Sequence, residues 1–148
     1  MSKNISSTQK SYLAGFLDGD GSIYVRLKPN KSYKYGFQIA PYIVFFQSNK
    51  ERLKFQKICD LIQLGYVRKR KDGILEYIIS RQKAIIEFLC WIKPYVIIKK
   101  QQVALMEEIL KKKETINDSK DFSELMQLID KFRELNYSKK RKRHILTP

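Results

Sequence analysis

The chain has 148 residues, enough for one well-packed domain and too few for two ordinary ones. Thirty Lys and Arg stand against 15 Asp and Glu, a formal charge of +15, and a surplus of that size repels itself in a compact fold unless a polyanion uses it. Nucleic acid is the first partner this implies and an anionic membrane surface the second; no apolar run approaches the ~18 residues a bilayer needs, and Met1–Asn4 opens no apolar signal segment, so export is not expected.

Ser7 is the expected N-cap of a first helix whose Tyr12, Leu13, Phe16 and Leu17 share one side. Ala14, Gly15 and Gly19 leave another side nearly bare. Glycine inside a helix costs about 0.5–1 kcal/mol relative to alanine. Close approach by another helix is one reason for such a pattern, and a frayed helix is the plain alternative. From Gly21 the period changes to two: Ile23, Val25 and Leu27 alternate with Tyr24, Arg26 and Lys28, a half-buried strand. A turn around Pro29–Ser32 leads to a second strand, roughly Tyr35 to Phe46. On it Phe37, Ile39, Ile43 and Phe45 share one parity, and Gln38, Ala40, Tyr42 and Val44 the other. Pro41 lacks a donor and argues for an edge or bulge.

Ser48 or Asn49 caps a following helix with Leu53, Ile58, Leu61 and Ile62 inward. A second hairpin spans Tyr66–Lys71 and Ile74–Arg81 around Asp72-Gly73, a strong hairpin signal. Arg68 and Arg70 share a face of its first strand, and Glu76, Ile78 and Ser80 a face of its second. Helices follow at Gln82–Trp91, Val96–Lys113 and Asp121–Asn136. The order is αββαββα with a helical C-terminal end, one copy without an internal repeat: a single domain, 1–148, with its core at about 7–113, a C-terminal helix at about 121–136 and a basic tail, 137–148, that includes five consecutive basic residues, Lys139–Arg143. Cys59 and Cys90 lie in apolar helical patterns and read as buried, reduced thiols. The single histidine, His144, lies in the tail, which disfavours a zinc site or a core histidine base. Catalysis would rest on carboxylates, lysine, water and metal.

Asp18 and Asp20 sit two apart, with Gly19 and Gly21 letting the backbone turn and expose carbonyls. A carboxylate beside a carbonyl oxygen suits Mg²⁺ or Ca²⁺; solvated aspartates at a helix end are the bland alternative. An EF-hand is excluded, because Ile23 and Pro29 occupy the positions where its loop needs glycine and glutamate. Tyr24, Arg26, Lys28, Gln38, Arg68 and Arg70 take outward parities on strands that could share one sheet, with Glu76 the main acidic exception. Planar Arg and Gln forks suit base edges in a major groove that a β-ribbon can enter, and lysines elsewhere would meet phosphates. Ala40, Tyr42, Val44 and Ile78 on the same face could pack on thymine methyls. A solvated charged sheet is the alternative.

The segment Leu13–Gly21, spelled LAGFLDGDG, resembles the signature of the LAGLIDADG homing endonucleases, and the αββαββα order of residues 7–113 matches that fold. Supporting matches are Lys28-Pro29-Asn30 with Ser32-Tyr33, Gln47, Gly65–Arg68, and Lys99 within Ile98–Gln102. The likeness is greatest to the single-motif homodimeric members. It implies an α+β fold with a saddle-shaped antiparallel DNA-binding sheet and C-terminal helices. It also implies a near-palindromic double-stranded DNA target cut on both strands by Mg²⁺-dependent phosphodiester hydrolysis, Ca²⁺ binding without supporting cleavage. The first helices of two copies would meet through Leu13, Ala14, Gly15, Phe16 and Gly19. Asp20 and the Gly19 carbonyl would hold the metal; Gln47 would order the attacking water and Lys99 would supply positive charge; Asp18 would turn to helix capping. Where relatives often carry a basic residue early in the helix after Gln47, this chain has Glu51, and Arg52 is the candidate replacement. Asn30, Ser32 and Tyr33 would join the DNA-contacting set.

A strand of about eight residues at ~3.3 Å each spans roughly 26 Å, or about eight base pairs, so two copies and a central gap would cover about twenty. Two other readings stand beside this one: an RNA maturase, with intron RNA as partner, or an inactive DNA-binding protein of the same fold; and a basic ribosome-associated protein, which leaves LAGFLDGDG unexplained. The expected location is an organelle (chloroplast or mitochondrion) if the gene is organellar, and otherwise archaeal or bacterial cytoplasm.

Overall fold

In the computed structural model, which describes residues 4–136, five helices and four strands follow the expected order: α1 (Ser7–Asp20), β1 (Gly21–Pro29), β2 (Phe37–Ser48), α2 (Arg52–Ile62), β3 (Tyr66–Lys69), β4 (Ile74–Ile79), α3 (Gln82–Ile92), α4 (Lys100–Glu114) and α5 (Ser119–Leu135). The basic tail at 137–148 lies outside the described residues. None of the described helices is long and apolar enough to cross a membrane.

The strands form one antiparallel sheet in the order β1-β2-β4-β3. Strand parity divides it as the alternation predicts. Ile23, Val25, Leu27, Ile39, Ile43, Phe45, Leu75, Tyr77 and Ile79 enter the hydrophobic core. Helices α1 and α3 pack on that side with Leu13, Leu17, Ile85, Phe88 and Leu89. Helices α4 and α5 pack on each other and against β1, and Asn136 Nδ2 donates to the Ile23 carbonyl at 3.2 Å. Pro41 needs no bulge. It pairs with Val25 on β1, while the β4 ladder begins only at Ile43, so β2 is an edge strand at that point.

Local chemistry moves several boundaries. Ser6, not Ser7, caps α1: its hydroxyl accepts from Gln9 N (3.1 Å) and Gln9 Oε1 accepts from Ser6 N (3.0 Å), a reciprocal capping box. Ser48 caps a 3-10 turn, Asn49–Glu51, that leads into α2. There Phe55, Cys59 and Ile62 face the core, whereas Leu53 is 84% exposed, contrary to the expected inward set. Leu53 stands two residues from Phe55, about 200° around the helix, and so points away from it. Cys90 is exposed and only Cys59 is buried; burial pushes the Cys59 thiol up to about 11, with Asp60 adding to the rise. The β3–β4 turn closes with Arg70 N donating to Ile74 O (2.8 Å) and Gly73 N to Arg70 O (3.1 Å), as Asp72-Gly73 predicts.

Between α2 and β3 the chain is pinned by Tyr77, whose hydroxyl accepts from Leu64 N (2.9 Å) and Gly65 N (2.7 Å). At Gly65 the backbone passes so close to the Ile78 carbonyl that a Cβ would overlap it. Gly65→Ala should therefore destabilise the fold by about 1–3 kcal/mol, the usual range for forced overpacking, read as a lower urea midpoint at unchanged slope.

Candidate functional site

Helix α1 and strand β1 join without a connecting residue. Gly21 caps the helix by donating its N–H to Leu17 O and is also the first residue of β1, paired with Phe45. Asp20 therefore stands at the end of the sheet where β2 reaches Gln47, two residues beyond Phe45. The two aspartates of the motif part company here. Asp18 Oδ2 accepts from Ile97 N (2.8 Å) and Ile98 N (3.1 Å), and Oδ1 accepts from Lys99 N (3.0 Å). It thus ties down the three residues that lead into α4, the last of which, Lys99, is that helix's N-cap residue. The Asp20 side chain is exposed and bonds to no described residue.

Lys99 precedes α4 and is one of two buried polar residues among those described, 8% exposed. Its Nζ donates to the Asp18 main-chain carbonyl at 3.4 Å. Gln47 has inward parity, pairs with Leu75, and is half-buried, with its Oε1 accepting from Ser48 N at 3.0 Å. Arg52 is exposed at the first residue of α2 and bonds to no described residue, while Glu51 ion-pairs with Lys54 at 3.3 Å. The structure therefore joins Asp18 and Lys99 by hydrogen bonds, leaves Asp20 two residues on without a bond to a described residue, sets Gln47 at the same end of the sheet, and draws in neither Glu51 nor Arg52 by a bond.

A metal fits this end in one limited sense. A free, exposed carboxylate is followed by no competing base, and the last turn of a helix offers carbonyls without intrahelical donors, Gly19 among its residues. Among the described residues no group of three or more His, Cys, Asp or Glu could hold a metal. For a metal, one copy could offer only Asp20 and a helix-end carbonyl here, and further ligands would have to come from water, a second copy or a bound phosphate.

The outer face of the sheet carries Tyr24, Arg26 and Lys28 on β1, Gln38, Ala40, Tyr42 and Val44 on β2, Glu76 and Ile78 on β4, and Arg68 on β3, in one consistent parity. Arg26, Lys28, Arg68 and Arg70 are exposed. Arg68 Nε lies 3.7 Å from Glu76, and Arg70 is 2.6 Å from Asp72. Tyr24 stacks on Tyr42 with centroids 5.3 Å apart, and Lys28 Nζ sits 5.4 Å above the Tyr42 ring. In the β1–β2 loop Asn30 Oδ1 accepts from Ser32 N (3.0 Å) and Ser32 Oγ (2.7 Å), and Tyr33 is 45% exposed.

Three expected contacts on this face are corrected. Val44 is fully buried, and Ala40 and Ile78 nearly so, although none belongs to the core beneath the sheet. Val44 lies between Ser22 and Ile78 on the neighbouring strands, so cross-strand side chains cover it. The first-helix interface also changes. Leu13 and Ala14 are fully buried in their own chain, and Phe16 stacks on Phe45 at 5.2 Å, so they serve the core. Gly15 and Gly19 are exposed, with open space where a Cβ would stand. The apolar residues exposed nearby are Tyr12 on α1 and Ile97 and Ile98, 79% and 60% exposed, beside Asp18. Sequence reasoning missed this pair, since apolar residues leading into a helix read as core. It also missed Tyr66, Gln82 and Lys113, which with Lys28, Gln38 and Tyr42 border a groove of about 340 Å³ beside Pro41, because residues from five elements meet there only on folding.

The LAGLIDADG endonuclease model matches residues 13–107. DNA endonuclease I-CreI of Chlamydomonas reinhardtii is 38% identical over 132 residues, spanning 88% of this chain and 80% of that protein. DNA endonuclease I-CvuI of Chlorella vulgaris is 30% identical over 131 residues, spanning 88% and 81%. A crystal structure of I-CvuI with the I-CreI target in Mg, its DNA not cleaved, superposes with a TM-score of 0.84 at 30% identity, covering 91% of this chain and 86% of that one. The archaeal I-Vdi141I complexed with DNA, at 17% identity and TM-score 0.78, shares the fold.

The contrast between the aspartates is testable without any ligand. Asp18→Ala should lower the unfolding free energy by about 2 kcal/mol, the loss of three hydrogen bonds to a charged acceptor that tie α1 to the segment before α4. Asp20→Ala should leave the urea midpoint unchanged.

Proposed function

The chain belongs to the LAGLIDADG endonuclease family, and from that membership we propose a homodimeric, Mg²⁺-dependent enzyme that cuts both strands of a long, near-palindromic DNA site. The observation that carries this reading is the free Asp20 carboxylate at the end of a basic, outward sheet face. Two copies would meet through the side of α1 that presents Tyr12, Gly15 and Gly19, continued by Ile97 and Ile98. With no Cβ at either glycine the helix backbones approach closely, and the isoleucines lose water in the contact. A two-fold axis between the helices brings the two Asp20 residues together and imposes near-palindromy on the site.

Asp20 and the Gly19 carbonyl would hold the divalent ion, which supplies Lewis acidity and a nucleophilic water at neutral pH. Ca²⁺ would bind there and leave the DNA uncut. Gln47, whose Oε1 is fixed by Ser48 N, keeps its amide Nε2 to orient water. Lys99 supplies positive charge where the scissile phosphate carries negative charge. Arg26, Lys28, Gln38, Arg68 and Arg70, with Asn30, Ser32 and Tyr33 of the loop, read the flanks. Glu76 orients Arg68, and the Tyr24–Tyr42 pair lies between Arg26 and Lys28 and the axis. Nine residues of β1 at ~3.3 Å reach roughly 30 Å, or about nine base pairs, which gives a site of about twenty. Two relatives come from algae, which favours an organelle as the compartment.

Against a randomised duplex library, Mg²⁺ should give discrete double-strand cuts that vanish in Asp20→Asn, and Ca²⁺ should give salt-sensitive binding without cuts. Binding without cutting by the unsubstituted protein in Mg²⁺ overturns the assignment. In sedimentation the protein should run as a dimer and Ile98→Arg as a monomer; a monomeric unsubstituted protein on its DNA site would exclude the two-fold arrangement.

A further inference from the structure

The segment from Ile97 to Lys99 is held in an unusual way. Ile97 and Ile98 are 79% and 60% exposed, so no core packing of their side chains anchors them in the free chain. What anchors them is a single carboxylate, Asp18, which accepts from all three consecutive N–H groups, 97, 98 and 99, at 2.8–3.1 Å. Lys99 then turns back, its Nζ donating to the Asp18 carbonyl at 3.4 Å. Both backbone and side chain of Lys99 are thus tied to one residue, two positions before Asp20. The Lys99 ammonium is buried with a single neutral acceptor among the described residues, although it carries three donors. An anion arriving beside Asp20 is the partner those donors lack.

We propose that Asp18 is a positioning residue for cleavage, holding Lys99 where its ammonium meets the phosphate presented to Asp20. The role rests on the endonuclease reading above. A carboxylate is required, because donors reach both oxygens: two on Oδ2 and one on Oδ1. An asparagine has one acceptor oxygen, and its NH₂ must face either Lys99 N–H or the Ile97 and Ile98 N–H groups. Asp18→Asn therefore removes one or two of the three bonds and loosens the segment with little change in side-chain size.

The test is a double-substitution cycle on the full-length protein, with Asp18→Asn, Lys99→Met and both together. Single-turnover cleavage in Mg²⁺, DNA affinity in Ca²⁺ and amide hydrogen exchange of the free protein are measured for each. Asp18→Asn should accelerate exchange at Ile97, Ile98 and Lys99 and slow cleavage by about ten- to a hundredfold, the scale of an ångström-sized misplacement, with affinity within about twofold. With Met at position 99 the same substitution should slow cleavage less than about twofold, since it acts through the missing ammonium. An equal slowing in both backgrounds marks a merely structural residue and overturns the proposal, as does faster exchange with an unchanged rate. If Asp18→Asn fails to fold, Asp18→Ser, which keeps an acceptor and is smaller, enters the same cycle. An unsubstituted protein that binds but cuts nothing overturns the endonuclease reading, and this role with it, while exchange still shows whether Asp18 holds the segment.

Discussion

The organisation of this protein depends on a helix that becomes a strand without a linker. Gly21 closes α1 through Leu17 O and opens β1 opposite Phe45. No other residue fits there, because a Cβ would stand 2.5 Å from Leu17 Cδ1 and 2.9 Å from its carbonyl oxygen. A loop would let the helix end wander by several ångströms. Its absence joins the backbone of Asp20 directly to the first residue of β1. The same junction settles which face of β1 points outward, and through the ladder that choice passes to β2, β4 and β3.

That sheet has two faces with different tasks. One carries the core and the helices, and it supplies the burial that stabilises so small a domain. The other carries cations at its flanks and a Tyr-lined apolar floor at its middle. Its ion pairs, Arg68–Glu76 and Arg70–Asp72, are partly exposed, and pairs of that kind contribute little to stability. Their consequence is geometric, since each holds a guanidinium in one direction. Arg26 and Lys28 on this face form no ion pair among the described residues, so their charge lies where a polyanion can reach it, away from the packed side.

Much of this was legible in advance. Period-two alternation assigned Tyr24, Arg26, Lys28, Gln38 and Arg68 to one face, and the Asp-Gly pair located the second hairpin. Failures arose where two partners compete for one residue. Leu13 and Ala14 belong to the family signature and were assigned to a neighbouring helix, but their own sheet and α3 claim them. Val44, Ala40 and Ile78 share the parity of the cationic residues, yet side chains on the paired strands, Ile78 beside Val44, Tyr66 beside Ile78 and Arg26 beside Ala40, cover them even on an outer face. Leu53 and Cys90 were placed by hydrophobicity, and the helical angle turned them outward.

The sequence alone determined the elements, their order and the two faces of the sheet, because these follow from periodicity and glycine placement, all local in the chain; only the family resemblance set Asp18 apart from Asp20. Tertiary structure decided what Asp18 bonds to. Its partners lie about eighty residues away, and no local pattern specifies which N–H groups a carboxylate will meet. It likewise decided that Lys99 is buried and that Ile97 and Ile98 are not. Exposure is set by which elements fold over a segment, and the one that ties this segment down is α1, at the opposite end of the core sequence.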